Sequence, residues 1–245
     1  QLLKFMKKKI LVLLPTLNEV HHILKLYKKI LKYNSNADIL FIDDGSIDGS
    51  WEVILKIKKK EKNKVFVIRR KQRKGLGKAH KDGLYWAYKK NYSYLITMDT
   101  DFAHDPKYIP LLIKNIIKND LVIGSRHLKK QSTPNWNPFR LFLNKAAYFV
   151  SYILFNHNFD STNAFRCYNL KKIKKNFILQ CKSNDYDFFF TSITILNFYK
   201  YKISQIPMVI TGRTAGSSKM RFKHMIKSVY MMISLFFKIK FSLLK

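Results

Sequence analysis

Tyr94-Leu95-Ile96-Thr97-Met98-Asp99-Thr100-Asp101 runs from an apolar segment straight into two carboxylates. The apolar half suits a buried strand. In extended chain, positions i and i+2 point the same way, so Asp99 and Asp101 can converge on one divalent cation. Strand ends of open α/β sheets are also where ligands bind. Alone, such a pair fits an ordinary polar turn better, so the neighbouring segments decide. The most telling of them is Asp43-Asp44-Gly45-Ser46, a second carboxylate pair that closes the apolar run from Ala37 to Ile42.

Upstream, Ile10 to Leu14 is continuously apolar, as a central parallel strand covered on both faces must be. Lys4, Lys7, Lys8 and Lys9 precede it in the manner of a signal peptide, but the run is too short and stops at Pro15. Asn18 or Thr16 is expected to cap the next helix, where Ile23, Leu24, Tyr27, Ile30 and Leu31 recur at helical spacing. After Ala37 to Ile42 come a helix with Trp51, Val53, Ile54 and Ile57, and a strand from Lys64 to Ile68. Repeated β-α-β units with short connections predict a doubly wound, mostly parallel sheet with helices on both faces. No glycine-rich turn follows the first strand and no Walker A motif is present, which excludes the common dinucleotide and P-loop sites.

Arg69 to Ala79 is a basic loop containing Gly75 and Gly77 that opens a helix. It suits a diphosphate clamp, or a solvated turn. Gly83 further along marks a close approach. Downstream of Asp101, Asp105-Pro106 starts a helix. Leu121 to Ile123 is a short strand leading into Gly124-Ser125-Arg126, and Lys129 to Pro138 is a polar loop flanking the site. Leu141 to Phe155 is apolar but too short and interrupted for a membrane span, so a buried or interface-lying helix is expected. Phe188 to Tyr199 suits helix or strand, and Ile203 to Ile210, with Pro207, an edge strand. Gly212 to Lys219 is a second basic loop. Residues 221–245 mix lysines with a nine-residue apolar run, Val229 to Phe237. That pattern fits an interfacial helix on anionic lipid, or a packed helix with solvated lysines.

The 245 residues suit one large domain, here 1–220, with an appendage, 221–245. Forty-seven Lys and Arg against 15 acids leave a formal charge of +32, a field that attracts nucleic acid, nucleotide diphosphates or an anionic membrane. Cys167 and Cys181 form no CxxC, which argues against a cysteine metal cluster or disulfide framework and fits a reducing compartment.

In this order the motifs resemble the polyprenol-phosphate (dolichol-phosphate) mannosyltransferases of glycosyltransferase family 2, which have a GT-A fold. Pro15-Thr16-Leu17-Asn18-Glu19, Asp43 to Ser46, Gly75 to Ala79 and Asp99-Thr100-Asp101 with His104-Asp105-Pro106 carry the likeness. So do Gly124 to Arg126, Trp136 and Arg140, Phe165-Arg166, and Arg213, Gly216, Ser218 and Lys219. The likeness spans about Ile10 to Lys219. It implies inverting transfer of mannose from GDP-mannose to a polyprenyl (dolichyl or undecaprenyl) monophosphate, with Mg²⁺ or Mn²⁺ on Asp99 and Asp101. It implies that Pro15, Glu19, Asp43 or Asp44, Lys78, Asp99, Arg213 and Lys219 hold the nucleotide sugar. Arg126, Arg140 and Arg166 would hold the acceptor phosphate, with Asp99, Asp101 and Arg126 as the catalytic set. The implied partner is an anionic membrane, met peripherally on its cytoplasmic face or through a separate membrane subunit, and no specific nucleic acid is expected. The chain departs from the family at Leu17, Ala103, Asn144, Phe189, Thr191 and Gln205. These changes fall mostly on the acceptor side. The competing readings are transfer from a UDP-sugar, an inactive scaffold that keeps the fold, and a nucleic-acid-binding basic protein.

Overall fold

The computed structural model describes residues 9–211 and 227–241 in full and 222–226 as helical backbone. In chain order the elements are β1 (Ile10–Thr16), α1 (Val20–Tyr33), β2 (Asp38–Asp43), α2 (Ser50–Lys60), β3 (Val65–Arg69), α3 (Leu76–Lys89) and β4 (Tyr94–Thr97). A 3-10 turn at Pro106–Tyr108 runs into α4 (Ile109–Ile116). Then follow β5 (Leu121–Ser125), α5 (Pro138–Phe155), β6 (Arg166–Asn169), α6 (Phe177–Gln180), α7 (Phe188–Phe198), β7 (Ile203–Pro207) and α8 (Phe222–Lys240).

The strands form one sheet in the order β3-β2-β1-β4-β6-β5-β7. All neighbours are parallel except β6, which is antiparallel to both β4 and β5. Side chains alternate along β1 as the pleat requires. Ile10, Val12 and Leu14 face a core completed by α1, α2 and α4. Leu11 and Leu13 face a second core built by α3, α6, α7 and Met232 and Leu235 of α8. Burying these five aliphatic side chains contributes on the order of 10 kcal/mol before chain entropy is counted. A Cβ at Gly83 would strike the Leu13 side chain, which is the close approach of α3 to β1 that the glycine permits.

The expected doubly wound architecture is present, with differences that have physical causes. Neither Asn18 nor Thr16 caps α1. Asn18 is left-handed (φ 52°) and accepts from Ile47 N–H at 2.9 Å, tying the β1 and β2 loops together. The start of α1 is served from that second loop: Asp48 accepts from Val20 N–H at 3.0 Å and Ser50 Oγ from Glu19 N–H at 2.8 Å. Burial alone would raise the Asp48 carboxyl, but hydrogen bonds from Ser50 and Val20 hold it below its usual range. β6 has no sequence signature because its four residues, Arg-Cys-Tyr-Asn, open on a charge. The segment Phe188–Phe198 is helix, and α5 is a surface helix with only Ser151 buried, so of the two expectations there, buried or interface-lying, the buried one does not hold.

Candidate active site

Parallel β1 and β4 lie side by side at the centre of the sheet, and the chain leaves them in different directions. This is a topological switch point, where a crevice opens beyond the strand ends. Thr100 turns inward, donating Oγ1–H to Pro15 O at 2.8 Å. The Asp99 side chain is 34% exposed, and Asp101 is buried at 9% and accepts from Ala103 N–H at 3.0 Å. Phe102, held by that turn, has φ 62°, a left-handed conformation costing about 1–2 kcal/mol for an L-residue. Such strain persists where the surroundings over-determine it, and it marks functional turns.

Among the described residues no group of three His, Cys, Asp or Glu side chains is placed to enclose a metal. Two carboxylates at a strand end fit a different arrangement. They suit a hard cation whose remaining oxygen ligands come from a diphosphate and water.

On the β2 side the two adjacent carboxylates do different jobs. Asp44 is fully engaged: it accepts from Arg70 Nη1 at 2.9 Å, Lys74 N–H at 3.0 Å and Gly75 N–H at 3.2 Å. It braces the basic loop. Asp43 is wholly buried; its Oδ2 accepts from Ser46 N–H at 3.2 Å, while its Oδ1 has no hydrogen-bond partner. Glu19 is buried with an oxygen 3.0 Å from His22 Nδ1. Lys78 pairs with Asp82, which also accepts from Arg70 at 2.7 Å. Arg69, Arg70, Lys71, Lys74 and Asp82 line a cleft of about 590 Å³ beyond β3. Gly75 and Gly77 are needed for packing, since a Cβ on either would strike the backbone of Asn184 or Asp185. Arg213 and Lys219 lie outside the described residues.

On the β5 side Arg126 emerges at the strand end. Asp160 accepts from its backbone N–H at 2.9 Å and from Nε at 2.8 Å, and also pairs with Nη2. Burial would raise the Asp160 carboxyl, but the Arg126 charge and N–H groups hold it below its usual range. Gln205 sets this turn, accepting from Asp160 N–H at 2.8 Å and donating to Asn158 O at 3.0 Å. A glutamate there would lack the second contact. Trp136 carries the two cations, Arg140 at 3.8 Å from the ring centroid and Arg126 at 5.4 Å. With its amide oxygen toward Arg126, Asn144 accepts from Nη1 and Nη2 at 3.3 Å.

Arg166 requires a correction. It is 0% exposed, and its guanidinium donates to Asn163 O (2.7 Å), Ser161 O (2.9 Å), Phe189 O (2.8 Å), Ser192 Oγ (2.8 Å) and Tyr168 Oη (3.3 Å). With its donors engaged inside the protein, it does not hold a phosphate. Sequence reasoning assigned no role to Asp160, His104 or Asn163. For Asp160 a signal existed, since it is the only acid between Asp120 and Asp185.

A switch-point crevice with paired carboxylates on one side and arginines on the other is the layout of a nucleotide-sugar transferase. The sequence profile of glycosyl transferase family 2 matches residues 11–177, and the chain belongs to that family. The protein is thus a glycosyltransferase. Among relatives, it is 29% identical over 212 residues to the polyprenol monophosphomannose synthase of Mycolicibacterium smegmatis, covering 86% of this chain and 80% of that protein. It is 27% identical over 213 residues to the undecaprenyl-phosphate mannosyltransferase of Micrococcus luteus, covering 86% and 87%. In solved structures the fold matches glucosyl-3-phosphoglycerate synthase from Mycobacterium tuberculosis in complex with Mn²⁺, UDP and glucosyl-3-phosphoglycerate. The TM-score is 0.63 at 15% identity, over 96% of this chain and 80% of that one. The same enzyme with Mn²⁺, UDP-glucose and phosphoglyceric acid gives 0.64 at 14% identity, over 95% and 80%. These neighbours establish the GT-A fold.

Proposed function

We propose that the protein transfers mannose from GDP-mannose to a polyprenyl monophosphate, with inversion, at the cytoplasmic face of a membrane. The observation that carries this is the placement of two sites on one sheet edge: the Asp99–Asp101 turn beyond β4, and the Arg126–Trp136–Arg140 cluster beyond β5. The two relatives named for polyprenyl-phosphate mannose chemistry support mannose as the sugar and a polyprenyl phosphate as the acceptor.

Asp99 and Asp101 would hold Mg²⁺ or Mn²⁺, whose chemistry there is to neutralise charge on the departing nucleoside diphosphate. Asp43 or Asp44, with Pro15 and Glu19, would meet the nucleoside; Asp43 Oδ1 is a buried acceptor without a partner. Lys78 would neutralise the phosphates, a role the motif also gives to Arg213 and Lys219, which lie outside the described residues. Arg126 and Arg140 hold the acceptor phosphate, for which guanidinium forks are well shaped. A phosphate monoester is already anionic at neutral pH, so no side chain must remove a proton before it attacks the anomeric carbon. Attack from the face opposite the leaving group inverts that carbon.

The acceptor reaches the site through the membrane. Among the described residues no helix is long and apolar enough to cross one. Instead α5 exposes Phe139, Phe142, Phe149, Tyr152 and Ile153, and α8 exposes Val229, Tyr230, Ile233 and Phe237. The helices meet at the edge-to-face pair Phe155–Phe236, 6.4 Å apart. Together they give an apolar surface within a strongly basic protein, the composition that settles into an anionic lipid interface.

The donor assignment is tested by offering radiolabelled GDP-mannose, UDP-glucose and UDP-GlcNAc with polyprenyl phosphate in anionic vesicles. Lipid-extractable label is expected from GDP-mannose alone. Preferred use of a UDP-sugar would overturn the assignment.

A further inference from the structure

A buried line of hydrogen bonds joins the two halves of the site. Asp99 backbone N–H donates to His104 Nδ1 at 2.9 Å. That ring nitrogen is therefore unprotonated, and in the neutral imidazole the proton sits on Nε2. Nε2–H donates to Asn163 Oδ1 at 2.9 Å. The amide of Asn163 then donates to Gly124 O at 2.5 Å, two residues before Arg126. Asn163 Oδ1 also accepts from Phe165 N–H at 3.1 Å, which fixes the amide's orientation. His104 and Asn163 are each 2% exposed, and the His104 ring stacks on Phe165 at 5.3 Å and 12°. A second tie is Thr97 Oγ1 to Ala164 O at 2.6 Å, joining β4 to the same turn. Asp160, which holds Arg126, opens that turn.

We infer that His104 and Asn163 are positioning residues that set the spacing between the Asp99–Asp101 turn and the Gly124–Arg126 turn. Neither needs to touch substrate. Their role is to keep the donor carboxylates and the acceptor arginine in register, which matters because a misplacement of about 1 Å can cost on the order of a hundredfold in rate. Buried and fully partnered, such a network resists deformation. The inference rests on the donor and acceptor assignments proposed above, but the bonds can be tested without them.

The experiment compares wild type with Asn163→Ala, Asn163→Ser, His104→Gln and the double variant His104→Gln/Asn163→Ala. NMR reads the ¹⁵N shifts of the His104 ring and the exchange rate of the Asp99 amide. Calorimetry reads GDP binding with Mn²⁺, and turnover gives kcat. The wild-type ring should show the Nε2–H tautomer. Loss of Asn163, which never touches Asp99, should speed Asp99 amide exchange by at least about tenfold. The kcat should fall about 10- to 100-fold while GDP affinity stays within about threefold. The double variant should lose no more than the worse single one, because both cut the same line. An Nδ1–H tautomer, unchanged Asp99 exchange in folded Asn163 variants, or multiplicative losses would overturn the inference. So would a kcat loss matched by equal losses of melting temperature and GDP affinity, the mark of a merely structural role. Asn163→Ser and His104→Gln decide the matter if Asn163→Ala does not fold. A wild type that performs no transfer contradicts the proposed reaction, and the NMR readings still decide the line of bonds.

Discussion

Arg126 and Arg166 carry the same group, and their surroundings give it opposite fates. Arg126 stands at a strand end, paired through Nε and Nη2 with Asp160, and turned toward Trp136 and Asn144. Arg166 lies inside the protein and holds three carbonyls and two hydroxyls. Replacing Arg166 by Met should cost about 3–5 kcal/mol of stability in urea unfolding, because buried acceptors lose their donor. Any folded fraction should keep its acceptor KM. Arg140→Ala should do the reverse, raising acceptor KM about tenfold (about 1.4 kcal/mol) with little change in stability. Equal stability losses for the two variants would contradict this assignment. The residue types were legible from the chain, since Gly124-Ser125-Arg126 and Phe165-Arg166 stood out as motifs. What the chain could not show is that β6 runs antiparallel between β4 and β5 and so carries Arg166 into the core. That pairing is non-local, and the short strand leaves no periodic trace. The same limit hid Asp44: the motif named a carboxylate pair, but only the fold turns Asp44 onto Arg70 and buries Asp43 with one oxygen unpartnered.

Elements were legible where one face is buried and the other is wet. The helical spacing of Ile23, Tyr27 and Ile30 is the core face of α1. α7 was ambiguous for the opposite reason: Phe188 to Leu196 is buried on every side, so no periodicity survives. α5 misleads in a third way, with apolar residues spread around a helix that buries only Ser151. In the proposed function its uncovered face and that of α8 would make the lipid contact. Phe142→Asp combined with Phe149→Asp should weaken co-sedimentation with anionic vesicles by more than about tenfold, since each aromatic loses about 1.5–3 kcal/mol of burial. Melting temperature should barely move, because both side chains are 60% exposed or more. Vesicle binding equal to wild type would remove α5 from the interface.

At the scale of the whole molecule, two buried histidines tie stability to pH. His80 is fully buried between Phe188 and Phe189, and neither ring nitrogen has a hydrogen-bond partner. Burial pushes it down from 6.5 to about 3, with Arg166 adding repulsion, and burial pushes His157 down to about 4. Both are neutral in the folded protein and take up a proton on unfolding below pH 6.5. Their contribution is therefore complete above that pH and is lost as pH falls toward the folded values. The slope approaches about 1.4 kcal/mol per pH unit for each histidine. Urea unfolding at pH 7.5 and 5 should show the fall, and His80→Leu should flatten it. A slope unchanged by His80→Leu would contradict the assignment. The formal charge of +32 acts at the same scale, as a field that attracts anions. The central claim is that the sheet edge joins a metal-held donor to a lipid phosphate. Its most direct measurement is mannose transfer from GDP-mannose to polyprenyl phosphate, with Mn²⁺ or EDTA, by wild type and Asp101→Ala. Metal-dependent formation of mannosyl lipid by the wild type, lowered at least about a thousandfold in the variant, is the predicted result. Transfer that persists in EDTA, or survives in Asp101→Ala, would contradict it.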